Sequence, residues 1–396
     1  MERLKMMLSE ARREQILAIA QSLVQIPSLS GEEGTVIERT AQWMRELGYD
    51  SVQVDECGNL VGVLYGGEGA TVVYDSHVDT VAVGDLSAWR HDPFGGTVAE
   101  GRLYGRGTCD MKGSLAASLA ALAYAKQDGV LRGTALVSAS VGEEVIEGLA
   151  FSRVLERYAP DLVVICESTE LRLVTAGRGR AEITITTYGK SAHASTPQLG
   201  VNALKHMAKL VSALDQLVPP EHERLGKGIL EPTEIISAPF PSVSVLPYQC
   251  RVRYDRRVLL GETAESVLEP IHATIAALAA ADPTFRAEAN VDVGSFTCYT
   301  GNTLYGKKFQ VAWQTDLDSP FVRAAQALLQ RTGQAAQIGH YNFCTNGSYA
   351  ASIGLPVIGY GAGSETTAHI TDEYLALDQL FGAAEGYYAL GTAFWG

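Results

Sequence analysis

The sequence predicts an α/β layered domain interrupted by a compact α+β unit. Three observations carry this. Continuous apolar runs of strand length alternate with helical patterns through the first 176 residues. Near residue 177 the pattern turns to strict alternation, as in AEITITTYG, the mark of a half-exposed antiparallel strand. Helix–strand alternation resumes after residue 310. A chain of 396 residues is long for one domain. The reading is a first domain split into 1–176 and 311–396, with 177–310 inserted.

Each element follows from its local pattern. Residues 9–25 read as an amphipathic helix, with Ile16, Ile19, Ala20, Leu23 and Val24 at helical spacing. SVQV, LVGVLYG and TVVYDSHV are strand-like, and GTVAEGRLYG reads as a hairpin turning at Glu100-Gly101. MKGSLAASLAALAYAKQ is a buried helix. TALVSASV and DLVVICE are strands covered on both faces. The insert holds two helical stretches, VNALKHMAKLVSALDQL and AESVLEPIHATIAALAA. Its strand-like runs are SVSVLPYQCRVRYD, FRAEANVDV and, more weakly, EIISAPF. SPFVRAAQALLQ, PVIGYG and a last helix through DQLFGAAEGYYALGTAF complete the first domain.

Composition narrows the class. Hydrophobic residues make up 46% and charged residues 19%, ordinary for a soluble globular protein. A formal charge of −14 argues against nucleic-acid or anionic-membrane partners. No apolar run is long enough for a membrane span. The opening MERLKMMLSEARREQ lacks a signal-peptide core. Six dispersed cysteines without a CxxC pair suit a reducing cytoplasm. GYGAG lacks the spacing of a dinucleotide fingerprint, and neither a phosphate-binding loop motif nor GxSxG occurs.

What stands out is a scattered set of carboxylates and histidines beside apolar runs: His77, Asp79, Asp110, Glu143, Glu144, Glu167 and His369. Each has a bland alternative. His77 and Asp79 could be a strand-end pair, and Asp110 a helix N-cap. Glu143-Glu144 could be a solvated loop, Glu167 a surface acid, and His369 a solvated loop histidine. Taken together they gain weight, because each falls just beyond a strand end, where open α/β sheets bind ligands. Five could bind two metal ions, since zinc accepts both imidazole nitrogen and carboxylate oxygen. The other two remain for acid–base or orienting work. Metal-dependent hydrolysis is the expectation.

The motifs in order resemble the M20 family of metallopeptidases and deacylases, over nearly the whole chain. The resemblance runs from LVQIPSLSGEEG through HVDTV, DPFGGTVAEGRLYGRGTCDMKGS and the GEE motif to GLPVIGYGAGSETTAHITDEY. It looks most like the deacetylase-like branch around the YgeY hydrolases. It implies a zinc-peptidase-like catalytic domain, with a mixed central sheet flanked by helices, and an inserted α+β lid that dimerises. It implies two divalent ions, zinc first, with cobalt or manganese as alternatives. His77 and Glu167 would hold one ion, Glu144 and His369 the other, and Asp110 would bridge. Asp79 would orient His77, Glu143 would be general base and acid, and the Asp110-Met111 peptide would be cis. His193, in TTYGKSAHAST, would reach the partner subunit's site and hold the oxyanion. Arg257, with Arg256 as the alternative register, would bind a substrate carboxylate.

Two departures stand beside this. Thr108-Cys109 precedes the bridging Asp, with Cys109 expected to pack rather than ligate. FCTNGSY differs from branches carrying Ser/Thr-Asp there. The expected function is a cytoplasmic amidohydrolase, acting on an N-acyl amino acid or short peptide. The alternatives are a dipeptidase or carboxypeptidase, a carbamoyl-amide hydrolase, and a catalytically silent metal-binding protein of the same fold.

Overall fold

The computed structural model describes residues 8–393. The charged opening at 1–7, part of the stretch read as lacking a signal peptide, lies outside them. Among the described residues no helix is long and apolar enough to cross a membrane.

A nine-stranded mixed sheet forms the larger region. At its centre four strands lie side by side: Thr134–Ser140, Thr71–His77, Leu162–Ile165 and Val357–Gly359. All three pairings between them are parallel. Their side chains alternate between two cores, with Val72 and Tyr74 in one and Val73 in the other. That two-sided burial is why these segments read as unbroken apolar runs. The helix Gly113–Gln127 is buried from Gly113 to Ala125 and packs with Glu10–Val24 and Leu377–Gly391. Ser9 caps the helix Glu10–Val24 by accepting from Arg12 N through its side chain.

The second region is an antiparallel sheet in the order Ile229–Ala238, Gln249–Val258, Gly179–Tyr188, Arg286–Val291. The short strand Phe309–Gln310 pairs with Gly179–Tyr188. The helices Ala203–Leu214 and Ala264–Ala281 contribute to its core.

Several details differ from expectation. The weak EIISAPF signal belongs to a full ten-residue strand, Ile229–Ala238. SVSV is not a strand: cis bonds at Ala238-Pro239 and Phe240-Pro241 precede it, and Ser244 has φ 52. The hairpin Val293–Thr297/Thr303–Lys307 comes from the inserted stretch, yet Phe296 and Cys298 belong to the large core of the first region. The expected hairpin at Glu100-Gly101 is present and gains a third strand, Tyr374–Ala376.

Candidate metal centre

The four central parallel strands deliver most of the candidate set to one edge. His77 is the last residue of its strand. Glu143-Glu144 follows the strand ending at Ser140, and Glu167 follows the one ending at Ile165. His369 lies in the loop after Val357–Gly359, with φ 58. Asp110 comes from a turn before the helix Gly113–Gln127 and does not cap it. The Asp110-Met111 peptide is cis. Gly107, φ 81, begins this turn, and a Cβ there would lie 2.8 Å from the Thr80 methyl.

Asp110 divides the donors in two. Its Oδ1 lies 2.9 Å from His77 Nε2, and its Oδ2 lies 3.0 Å from His369 Nε2. Glu167 Oε1 is 3.2 Å from His77 Nε2, and Glu144 Oε1 is 3.0 Å from His369 Nε2. Two triads result, His77–Asp110–Glu167 and Asp110–Glu144–His369, each with its ligand atoms within 4.8 Å of one another. Glu143 Oε2 stands 4.0 Å from His77 Nε2 and belongs to neither triad.

Electrostatics mark the set as crowded with negative charge. Burial raises the Glu143 carboxyl well above its ordinary value, with Glu167, Glu147 and Glu144 adding to the effect. Burial and Asp110 push Glu167 up to about 7 and also raise Glu144. Hydrogen bonds to Asp110 and Glu144 lift His369 to about 10. Burial opposes a charged His77, but its bonds to Asp110, Asp79 and Glu167 prevail and hold it high. Within the set, only the two imidazoles offset these carboxylates. Nitrogen and carboxylate donors converging in this way fit a pair of divalent cations.

The supporting groups are specific. His77 Nδ1 lies 2.9 Å from the backbone carbonyl of Asp79, while the Asp79 carboxylate is 3.6 Å away. Both polar groups of Asp79 therefore face the ring nitrogen, the carbonyl more closely. The Asp79 carboxylate also accepts from Glu143 N at 3.2 Å, Glu144 N at 3.1 Å and Ser30 Oγ at 2.7 Å. The sequence reading passed over Glu373. Fully buried, it accepts from Cys109 N at 2.8 Å and Asp110 N at 3.1 Å, and pairs with Arg106 at 2.6 Å. Its place in the same short TTAHITDEY stretch as His369 was the available signal. Cys109 packs: its thiol contacts Ser168 Oγ and the Ser364 carbonyl, and burial pushes it up to about 12.

The set opens into a cavity of about 410 Å³. Arg257 lines it; Arg256 does not, being buried and paired with Glu262. Arg180, also on the wall, faces three carboxylates: Glu147, Glu182 and Asp255. His193 is exposed, in the loop between Tyr188 and Ala203, and is not among the cavity's lining residues.

The model of peptidase family M20/M25/M40 matches residues 73–392, a span that contains both triads. The chain belongs to this family. Among its M20 relatives, YgeY of Escherichia coli strain K12 is 33% identical over 98% of this chain and 96% of its own length. An acetylornithine deacetylase of Proteus mirabilis is 26% identical over 91% of each chain. The fold is similar to that of the YXEP protein of Bacillus subtilis, described as a dinuclear metal-binding peptidase of the M20 family. The TM-score is 0.70, with 16% identity, over 96% of this chain and 98% of that one. The protein is thus an M20-family metallohydrolase acting on amide bonds.

Proposed function

We propose that this M20 hydrolase is a cytoplasmic, two-zinc amidohydrolase that releases the acyl group from an N-acyl amino acid. The observation that carries this reading is the bridging posture of Asp110, one oxygen toward each histidine. His77 and Glu167 would hold one ion, and Glu144 and His369 the other. When bound, two such ions activate water and polarise a carbonyl.

The chain's own residues do the rest. Glu143 is left outside both triads and takes the proton of the attacking water. It then returns that proton to the leaving amine, so the C–N bond breaks with no net proton change. The place of Glu143 outside both triads, 4.0 Å from His77 Nε2, suits both directions of transfer. Arg257 binds the substrate carboxylate from the cavity wall. Among the described residues its ionic partner is Asp255, which Arg180 shares, and this leaves guanidinium capacity for the ligand.

His193 acts from a second copy of the chain and donates to the oxyanion. Its exposure supports this, as do the exposed apolar residues Ile235 and Ile236 on the edge strand of the second sheet and Phe240 and Val243 in the loop after it. A symmetric pair through that edge gives each site a donor from its partner. Six free, buried thiols support a reducing compartment.

A panel of N-acyl amino acids run against dipeptides, on zinc-loaded protein with metal counted, tests the reading. Turnover of the acyl series at two ions per chain is expected. Preference for dipeptides would move the assignment to a dipeptidase or carboxypeptidase. One ion per chain at full activity would end the two-metal scheme.

A further inference from the structure

The stretch FCTNGSY has no part in the chemistry above, yet Asn346 within it is 4% exposed and touches three segments of the centre. Its Nδ2 donates to Asp75 Oδ2 at 2.9 Å and to Ser140 Oγ at 3.1 Å. Its Oδ1 accepts from Gly148 N at 2.6 Å. The three partners are not arbitrary. Asp75 lies two residues before His77 on the same strand. Ser140 ends the strand that leads into Glu143-Glu144. Gly148 closes that loop ahead of the helix Phe151–Tyr158. The closure is tight: Gly148 has φ 78, and a Cβ there would lie 2.4 Å from that of Tyr349. The loop's acidic pair is pinned from below by the Asp79 carboxylate. Asn346 grips the segments on either side of it.

We propose that Asn346 is a positioning residue, which sets the Glu143-Glu144 loop against His77 by joining Asp75, Ser140 and Gly148. The inference rests on the proposed roles of Glu143 and Glu144. Only a side-chain amide offers an acceptor for Gly148 and two donors for the other partners in one planar head. The orientation of the amide follows from the network, since the Gly148 N–H must face its oxygen. A carboxylate at 346 would set two buried acids against each other, a contact that needs one of them protonated and supplies at most one donor for Asp75 and Ser140 together. Exchanging the two side chains would restore one donor and one acceptor at that contact and keep an acceptor for Gly148.

The test compares Asn346→Asp with the double variant Asp75→Asn/Asn346→Asp, both loaded with Co(II). Asn346→Asp should lower kcat by roughly 10- to 100-fold, as loss of an outer-shell partner does, with KM within about threefold. The Co(II) visible spectrum and metal retention on dialysis should change as well. The double variant should recover at least about tenfold of the kcat loss and the original spectrum. Spectrum and retention need no substrate, so they report on the clamp even if the proposed amide chemistry is wrong. A folded Asn346→Asp protein with unchanged kcat and spectrum overturns the proposal. So does a double variant no better than the single one. If Asn346→Asp does not fold, refolding by Asp75→Asn supports the clamp, and an unfolded double variant overturns it.

Discussion

The two donor triads share Asp110 but are built differently. His77 and Glu167 sit on or just past strand ends, and are 2% and 4% exposed. Glu144 and His369 sit in loops, and the His369 side chain is 48% exposed. One half is set by the parallel ladder and the dry core. The other depends on loop backbones, one of them in a left-handed conformation at His369. The difference teaches that this fold supplies one half-site from the strand ladder itself, and builds the second from loops held by side-chain contacts. Buried strand-end donors lose little freedom on binding, whereas an exposed donor such as His369 has more to lose.

The harshest way to break the comparison is to remove what the halves share. Asp110→Ala should strip most of both metals and abolish turnover, and metal analysis at saturation reads it directly. Retention of two ions would mean that the halves are independent and that Asp110 does not bridge. Glu143→Gln is the next largest change. It should keep both ions while kcat falls by roughly 10²–10⁴, the range for a lost general base. Loss of one ion instead would exchange the roles of Glu143 and Glu144. If the partner's loop completes the site, mixing Glu143→Gln with His193→Ala chains should return part of the activity, because one site per heterodimer is then intact. No recovery despite subunit exchange would confine His193 to its own chain.

A subtler effect sharpens the asymmetry. Dialysis against a chelator should remove one ion first, and His77→Ala should weaken the retained ion more than His369→Ala does. A difference of about 10- to 100-fold in affinity is the scale at which such structural differences act. Equal loss from both positions would erase the distinction drawn here.

The smallest effect lies beside Asp79. Glu33 is fully buried, with one carboxylate oxygen bonded to Gly31 N at 2.9 Å and the other unpartnered. Burial raises it to about 7. An acid raised on folding stabilises below its unfolded pKa, and that contribution is lost as pH rises through the folded one. The window therefore runs from pH 4.5 to about 7, and the loss is about 3 kcal/mol at most. Glu33→Gln should raise Tm by a few degrees at pH 8 relative to the parent, and change it little at pH 4.5. An equal shift at both values would show that the charge is not what matters.

Much of this was legible beforehand because parallel strands betray themselves. Runs such as TALVSASV and DLVVICE announce burial on both faces, and acids just beyond them have few structural uses. The helix Gly34–Glu46 went unread, although Val36, Ile37, Thr40, Ala41 and Met44 form its buried stripe. The placing of Phe296 and Cys298 in the first core was hidden for a deeper reason. Alternation tells which side of a strand is covered, not what covers it. The Asp79 carboxylate was read only in part. It faces His77 at 3.6 Å, and it also accepts from the backbone amides of Glu143 and Glu144, which nothing in its local pattern announces.

Glu373 carries a consequence for biosynthesis. It holds the backbone of Cys109 and Asp110 from a position more than 260 residues downstream. A growing chain therefore has His77, Asp110, Glu144 and Glu167 available long before the residues that fix the bridging turn emerge. Domains form from the N-terminus during synthesis, but this centre cannot be completed in that order. Hydrolytic competence is withheld until the segment carrying His369 and Glu373 has emerged, so products stalled or truncated before it would be inert rather than indiscriminate.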